Sequence, residues 1–209
     1  MTLRGIFLIG SAALAGITAS VLWIDLPLAR FFAGFGLWHA VFTSAPVKLP
    51  VMTILAAVGP LVGLSFLVAG RKLPRWAEAA MLAGIAMLVS QWLTHDLLKP
   101  AFGRVVPSIY LETGRHGFYW FHGGLSYGSF PSGHSVEAAA MLAVASAYYP
   151  RGQWAYGAMM ALLALALMLG QWHYLGDILA GATVGSIIAV GTMSAWRRAL
   201  SGAAMFSNE

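Results

Sequence analysis

Long apolar segments separated by short polar connections constrain this chain more than any other feature of its sequence. Each has about the 20 residues that an α-helix needs to cross the hydrocarbon core of a bilayer. Only 9% of the residues are charged, whereas soluble domains have roughly 25%. The sequence therefore predicts an all-α polytopic membrane protein with six transmembrane helices, in which residues 1–209 form a single domain. The predicted spans are 4–24, 50–70, 77–95, 133–149, 153–172 and 176–196.

Two segments between the spans differ from ordinary short connections. Residues 26–48 contain Arg30, His39 and Lys48 among aromatic side chains, and this pattern predicts an amphipathic segment at the membrane interface. Residues 96–132 form the only long polar stretch. Loops of this length in a compact chain usually have a function. We therefore expect the catalytic or binding residues to lie in or beside this loop.

The distribution of positive charge predicts the orientation of the chain. The net charge is +5, and no basic run is longer than the pairs Arg71-Lys72 and Arg197-Arg198. This pattern fits contacts with membrane lipids and gives no indication of nucleic-acid binding. Cytoplasmic connections collect Lys and Arg, so the loop 96–132 should face outward. We expect a bacterial inner-membrane protein whose site lies on the periplasmic side. The cations expected inside are Arg4, Arg71, Lys72, Arg75, Arg151, Arg197 and Arg198.

The start of the fourth apolar segment has the features of an anion site. Pro131 and Ser132 suit the start and cap of a helix, and His134 follows on its first turn. A helix N-terminus presents N–H groups and a partial positive charge, which suit phosphate. Glu137 shares the helix face of His134, where it either tunes that histidine or forms a hydrogen bond within the helix.

A second histidine lies between the fifth and sixth segments. His173 and Asp177 are four residues apart, so a helix would place them on one face. A carboxylate behind an imidazole fixes its tautomer and stabilises the imidazolium ion. This arrangement is typical of a nucleophilic histidine. At the end of the third segment, His95 and Asp96 could similarly support Lys99.

Together these motifs resemble the type 2 phosphatidic acid phosphatase family, which is related to the vanadium haloperoxidases. The Pro-Ser-Gly-His motif is intact at 131–134, and His173 and Asp177 match the end of the motif Ser-Arg-x5-His-x3-Asp. Lys99 and Pro107 match the motif Lys-x6-Arg-Pro. The sequence departs from the family at two arginines, which are replaced by Val106 and Leu167.

The resemblance implies a membrane lipid phosphatase that forms a phosphohistidine intermediate and needs no metal or other cofactor. His173 would be the nucleophile, Asp177 its orienting carboxylate and His134 the general acid and base. The substrate would be a lipid phosphate. Its phosphoryl oxygens would contact Lys99, Ser132 and Gly133.

The two missing arginines leave three interpretations open, because cations normally stabilise the oxygens of a transferring phosphoryl group. Arg104 or Arg115 could replace them as phosphate-binding residues. Alternatively, the substrate could be a phosphodiester with a single negative charge. His173-Tyr174-x2-Asp177 resembles a signature of the sphingomyelin and inositol-phosphorylceramide synthases, which transfer a lipid headgroup. Third, the site could have weakened or lost catalysis while it still binds lipid.

Overall fold

The computed structural model describes residues 3–36 and 48–206. The six segments predicted from the sequence are helical except for up to three residues at the C-terminal end of a segment. The helices are α1 (Leu3–Ala19), α2 (Asp25–Ala33), α3 (Lys48–Val68), α4 (Arg75–Trp92), α5 (Lys99–Phe102), α6 (Pro107–Thr113), α7 (Gly133–Tyr148), α8 (Gln153–Leu169) and α9 (Leu175–Phe206). Two π-helical turns, Ser20–Ile24 and Leu93–Leu98, and two 3₁₀ turns, Leu125–Tyr127 and Pro150–Gly152, complete the described helical structure.

Within residues 3–36 and 48–206, four helical stretches are long and apolar enough to cross a membrane. Large apolar side chains on their surfaces are exposed, such as Phe7 at 74% and Trp154 at 83%, as expected for surfaces that face lipid. The chain is therefore an integral membrane protein. α7 has 16 residues and is shorter than the roughly 20 needed for a span, so the six-span topology stays a prediction. The four stretches are Phe7–Ala33, Arg75–Phe102, Pro150–Leu169 and Leu175–Ser201.

The first helix continues beyond its predicted end at residue 24. A π-helical turn, in which the Asp25 N–H donates to the Ser20 carbonyl, joins α1 to α2. This wider turn lets the helix accommodate Pro27, which has no N–H to donate. Residues 26–33 therefore extend the first helix, and the prediction that a separate interfacial segment begins at 26 is wrong. Residues 37–47 of that segment, including His39, lie outside the described residues.

The long polar loop also begins later than predicted. The π-helical turn Leu93–Leu98 joins α4 to α5, so the helix continues to Phe102 and places Lys99 on it. Gly103 ends the helix in the left-handed conformation, with φ +55°. A Cβ atom there would lie 1.8 Å from the Tyr119 carbonyl oxygen, so only glycine fits. The loop proper is therefore 103–132, and it contains the short helix α6.

The helices α4, α7 and α9 form the core of the structure. α9 lies close to α7 because two glycines face it: a Cβ at Gly181 would be 2.7 Å from the Ser132 carbonyl oxygen, and one at Gly185 would be 2.2 Å from that of Val136. Small residues four apart allow this close approach between helices. The packing joins the N-terminal ends of α7 and α9, where His134 and Asp177 lie. The buried core cluster comprises Met81, Leu82, Ala86, Ala140, Val144, Ala189 and Met193.

Candidate active site

A cavity of about 440 Å³ opens where the end of α4–α5, the start of α7 and the junction before α9 meet. Segments far apart in the sequence contribute to it, because the close packing of α7 on α9 places both N-terminal ends beside the long loop. Its mostly apolar wall and few polar groups are typical of a small-molecule site. The ionisable residues that line it are His95, Lys99, Tyr127, His134, Glu137 and His173.

His173 is held in one orientation by the loop that precedes α7. Its Nδ1 lies 2.8 Å from the Ser129 carbonyl oxygen, which can only accept a hydrogen bond, so Nδ1 carries the proton. In the neutral ring, Nε2 then has a lone pair available for attack. Burial lowers the pKa of His173 despite the nearby negative charge of Asp177. The imidazole is therefore neutral near neutral pH.

Asp177 supports His173 indirectly. Its Oδ2 is 3.7 Å from His173 Nδ1, too far for the direct hydrogen bond that the spacing suggested. The same oxygen accepts hydrogen bonds from the Ser129 hydroxyl at 2.5 Å and the Tyr174 N–H at 2.9 Å. Asp177 thereby fixes Ser129, whose carbonyl oxygen binds the imidazole.

The start of α7 brings the second histidine to the cavity. Ser132 caps the helix by accepting from the Ser135 N–H at 3.4 Å, and the rings of His134 and His173 lie 6.4 Å apart between centroids. Ser132 is fully buried, so its side chain acts as a cap, while Gly133 lines the cavity. A Cβ at Gly133 would be 3.2 Å from His95 Nε2, so the glycine allows that imidazole to approach the helix end.

Arg104 does not occupy the phosphate-binding position suggested for it. It is 3% exposed, and its Nη1 and Nη2 atoms donate to Asp177 at 2.6 Å and Asp25 at 2.7 Å. Burial disfavours its charge, but the two carboxylates raise the pKa of Arg104 above its usual value. Its guanidinium also lies 4.4 Å from the centroid of the Tyr174 ring. Arg104 thus stabilises the structure behind His173.

Arg115 does not reach the cavity either. Its side chain is exposed on the loop, and it is not among the residues that line the cavity. At the two positions where the related family has arginine, Val106 lines the cavity and Leu167 is buried. Of the residues predicted to bind phosphate, Lys99 and Gly133 therefore line the cavity, whereas Ser132, Arg104 and Arg115 do not.

A family model described as the PAP2 superfamily matches residues 79–200, which is more than half of the chain. The chain belongs to the PAP2 superfamily. The match includes all of the ionisable residues that line the cavity. Both histidine motifs of this PAP2 protein thus lie within the matched region.

Two curated proteins and one solved structure are similar to this PAP2 chain. A lipid A 1-phosphatase of Rhizobium etli is 32% identical over 111 residues, which are 53% of this chain and 48% of that protein. Another, of Rhizobium johnstonii, is 33% identical over 99 residues, 47% of this chain and 41% of that protein. The chain thus spans about half the length of the curated relatives it matches. A transmembrane PAP2-type phosphatidylglycerolphosphate phosphatase from Bacillus subtilis, known from its crystal structure, is 19% identical in sequence to this chain. The two structures superpose with a TM-score of 0.37, and the alignment covers 91% of this chain and 87% of the other.

Asp25 is a site-supporting residue that the sequence reasoning missed, and it lies outside the PAP2 match. It is 1% exposed and accepts hydrogen bonds from the Ser20 hydroxyl at 2.7 Å and the Gly176 N–H at 2.9 Å, besides Arg104. The position of Asp25 in the sequence could have identified it. An ionisable side chain inside a membrane span costs free energy and usually has a function. A first span that ends at residue 24, as the sequence predicts, leaves Asp25 outside the membrane.

Proposed function

We propose that this PAP2 chain hydrolyses lipid phosphate monoesters by forming a phosphohistidine on His173. The observation that carries the proposal is the placement of His134 and His173 on one cavity, with ring centroids 6.4 Å apart. A phosphoryl group between the two rings would meet a nucleophile on one side and a proton donor on the other. Lys99 and the first turn of α7 lie where its oxygens would need positive charge.

In the first step, Nε2 of His173 attacks phosphorus and the bond between phosphorus and the lipid oxygen breaks. Protonated His134 gives its proton to that oxygen, so the lipid leaves as an alcohol. The hydrogen bond from Nδ1 to the Ser129 carbonyl keeps the nucleophile in its reactive tautomer. The product is a phosphoryl group bound to the His173 nitrogen.

In the second step, a water molecule attacks the phosphohistidine. His134, now neutral, takes a proton from that water while the phosphorus–nitrogen bond breaks. Inorganic phosphate leaves, and both histidines return to their starting states. Neither step uses a metal ion or another cofactor.

The proposed substrate class is a membrane lipid that carries a terminal phosphate. The mostly apolar cavity and the relatives named as lipid A 1-phosphatases support this choice. The test is to incubate the purified protein with phosphatidic acid, phosphatidylglycerophosphate, lipid A, a polyprenyl pyrophosphate and a choline phosphodiester lipid. Release of inorganic phosphate from a monoester or pyrophosphate is expected. If none of the lipids in this panel releases inorganic phosphate, the proposal is contradicted.

A headgroup phosphotransferase is a second candidate, because neither Arg104 nor Arg115 lines the cavity. Among the described residues that line the cavity, this leaves Lys99 as the one lysine or arginine, the side chains that are ordinarily positive at every physiological pH. A phosphodiester carries a single negative charge and needs less neutralisation than a monoester. In the same incubation, this candidate predicts a new headgroup-labelled lipid formed from the diester, without free phosphate.

We also propose that the cavity faces the periplasm of a bacterial inner membrane. The connections opposite the cavity end contain Arg71, Lys72 and Arg151, in agreement with the rule that positive charge stays inside. The natural sequence has no cysteine, so a single Arg115→Cys or Lys72→Cys substitution gives one thiol. A maleimide that cannot cross membranes should label the Arg115→Cys variant in spheroplasts and should label Lys72→Cys only after lysis. The reverse pattern would contradict this orientation.

A further inference from the structure

The cavity is short of positive charge for the phosphate monoester proposed above. Among the described residues that line it, Lys99 contributes one positive charge and Glu137 one negative charge. Their sum is zero when the histidines are neutral, whereas a phosphate monoester near neutral pH carries between one and two negative charges. His173 must stay neutral to act as a nucleophile, and protonated His134 uses its proton on the leaving group. A further cation is needed for the phosphoryl oxygens.

We propose that His95, in its protonated form, binds the phosphoryl oxygens of the substrate and takes the place of a missing arginine. This inference rests on the proposed function for the identity of the substrate. The binding of phosphate can nevertheless be measured on its own, without any hydrolysis of a lipid. His95 is not one of the residues of the three family motifs that the sequence matches. Its role would be to bind phosphate and not to transfer a proton to the leaving group.

The position of His95 supports this role. It lies one helical turn before Lys99, on the π-helical turn that extends α4 toward the cavity. Its Nε2 is 3.2 Å from the point where a Cβ of Gly133 would be, and Lys99 Cε is 3.7 Å from the same point. Both side chains therefore converge on the N-terminal end of α7, where the helix dipole favours an anion.

Glu137 gives His95 a partner when no substrate is bound. Its Oε1 lies 3.7 Å from His95 Nε2, which makes an ion pair whenever the imidazole is protonated. His95 is about one third exposed and Glu137 is buried, so the imidazole can turn from the carboxylate to a ligand in the cavity. The charged or titratable groups that line the cavity with His95 are Glu137, Lys99, Tyr127, His134 and His173.

The test measures the binding of inorganic phosphate to the purified protein by calorimetry at pH 5.5 and pH 8.5. Histidine loses its charge between these values, so the ratio of the dissociation constants of the His95→Gln variant and the wild type isolates the charge on this residue. Phosphate and the other histidines also change charge over this pH range. They do so with both proteins, so their effects cancel in the ratio. We expect a ratio of about 10 at pH 5.5, which corresponds to one charge-assisted hydrogen bond, and a ratio of about 1 at pH 8.5.

Two further variants make the result specific. His95→Lys should bind phosphate as tightly as the wild type at pH 5.5 and more tightly at pH 8.5, because lysine stays protonated. His116→Gln is the matched control, since His116 is exposed and outside the cavity, and its ratio should be about 1 at both pH values.

Three results would overturn the inference: no phosphate binding by the wild type at pH 5.5, a His95→Gln ratio of 1 at both pH values, or an equal loss at both. An equal loss would mean that His95 has a structural role. Phosphate binding that depends on His95, together with no turnover of any lipid in the panel, would instead refute the proposed function and leave the binding role of His95 intact.

Discussion

Replacing His173 with alanine is expected to lower the rate of phosphate release by at least about 1,000-fold, because it removes the proposed nucleophile. The measurement is the release of inorganic phosphate from whichever lipid the wild-type protein hydrolyses best. Incubation with a lipid labelled in its phosphate and rapid quenching in alkali should also trap labelled wild-type protein. The His173→Ala variant should retain no label.

His134→Ala gives a contrasting result that separates the two histidines. Its loss of turnover should be similarly large with a lipid substrate, since the lipid alkoxide is a poor leaving group. With p-nitrophenyl phosphate the leaving group needs little protonation, so the first step should continue while hydrolysis of the phosphohistidine slows. Labelled phosphoprotein should therefore accumulate in His134→Ala. Retention of label in His173→Ala, or full activity of either variant, would contradict the mechanism.

The sequence predicted the helical segments well because each is a mostly apolar run of about helix-spanning length. α7 is helical at 133–148, and its predicted range is 133–149. The errors lie at the two π-helical turns, Ser20–Ile24 and Leu93–Leu98. Polar residues and a nearby proline normally indicate the end of a helix, but a widened turn lets the helix continue. That local geometry depends on packing against the rest of the chain and has no periodic signature in the sequence.

The motif residues of the site were predictable, whereas the contacts behind them were not. Pro-Ser-Gly-His and His-x3-Asp indicated His134, His173 and Asp177 because the two motifs together resemble those of one family. Arg104 was expected to bind substrate because it lies two residues before Val106 in the sequence. Its actual partners, Asp25 and Asp177, are 79 and 73 residues away from it. Spacing within one segment carries no information about such distant partners.

Replacing Arg104 with glutamine should destabilise the protein by about 3–5 kcal/mol, the usual cost of removing one partner from a buried ion pair. The carboxylates of Asp25 and Asp177 would be left buried without their shared cation, and both are at most 1% exposed. The measurement is the free energy of unfolding in detergent micelles, with activity assayed at a temperature where the variant stays folded. Activity should also fall, because Asp177 would lose the bond that helps to hold it against Ser129.

The matched control for Arg104→Gln is Arg115→Gln, since Arg115 lies on the same loop but is exposed. Its free energy of unfolding should change by less than about 0.5 kcal/mol. Adding Asp25→Asn to Arg104→Gln should recover part of the lost stability, because one of the two unpaired charges is removed. A role of Arg104 in binding substrate predicts the opposite pattern: a weaker affinity for phosphate, unchanged stability and no recovery on adding Asp25→Asn. The double variant therefore distinguishes a buried positioning residue, acting through Asp177 and Ser129 on His173, from the phosphate ligand suggested by the sequence.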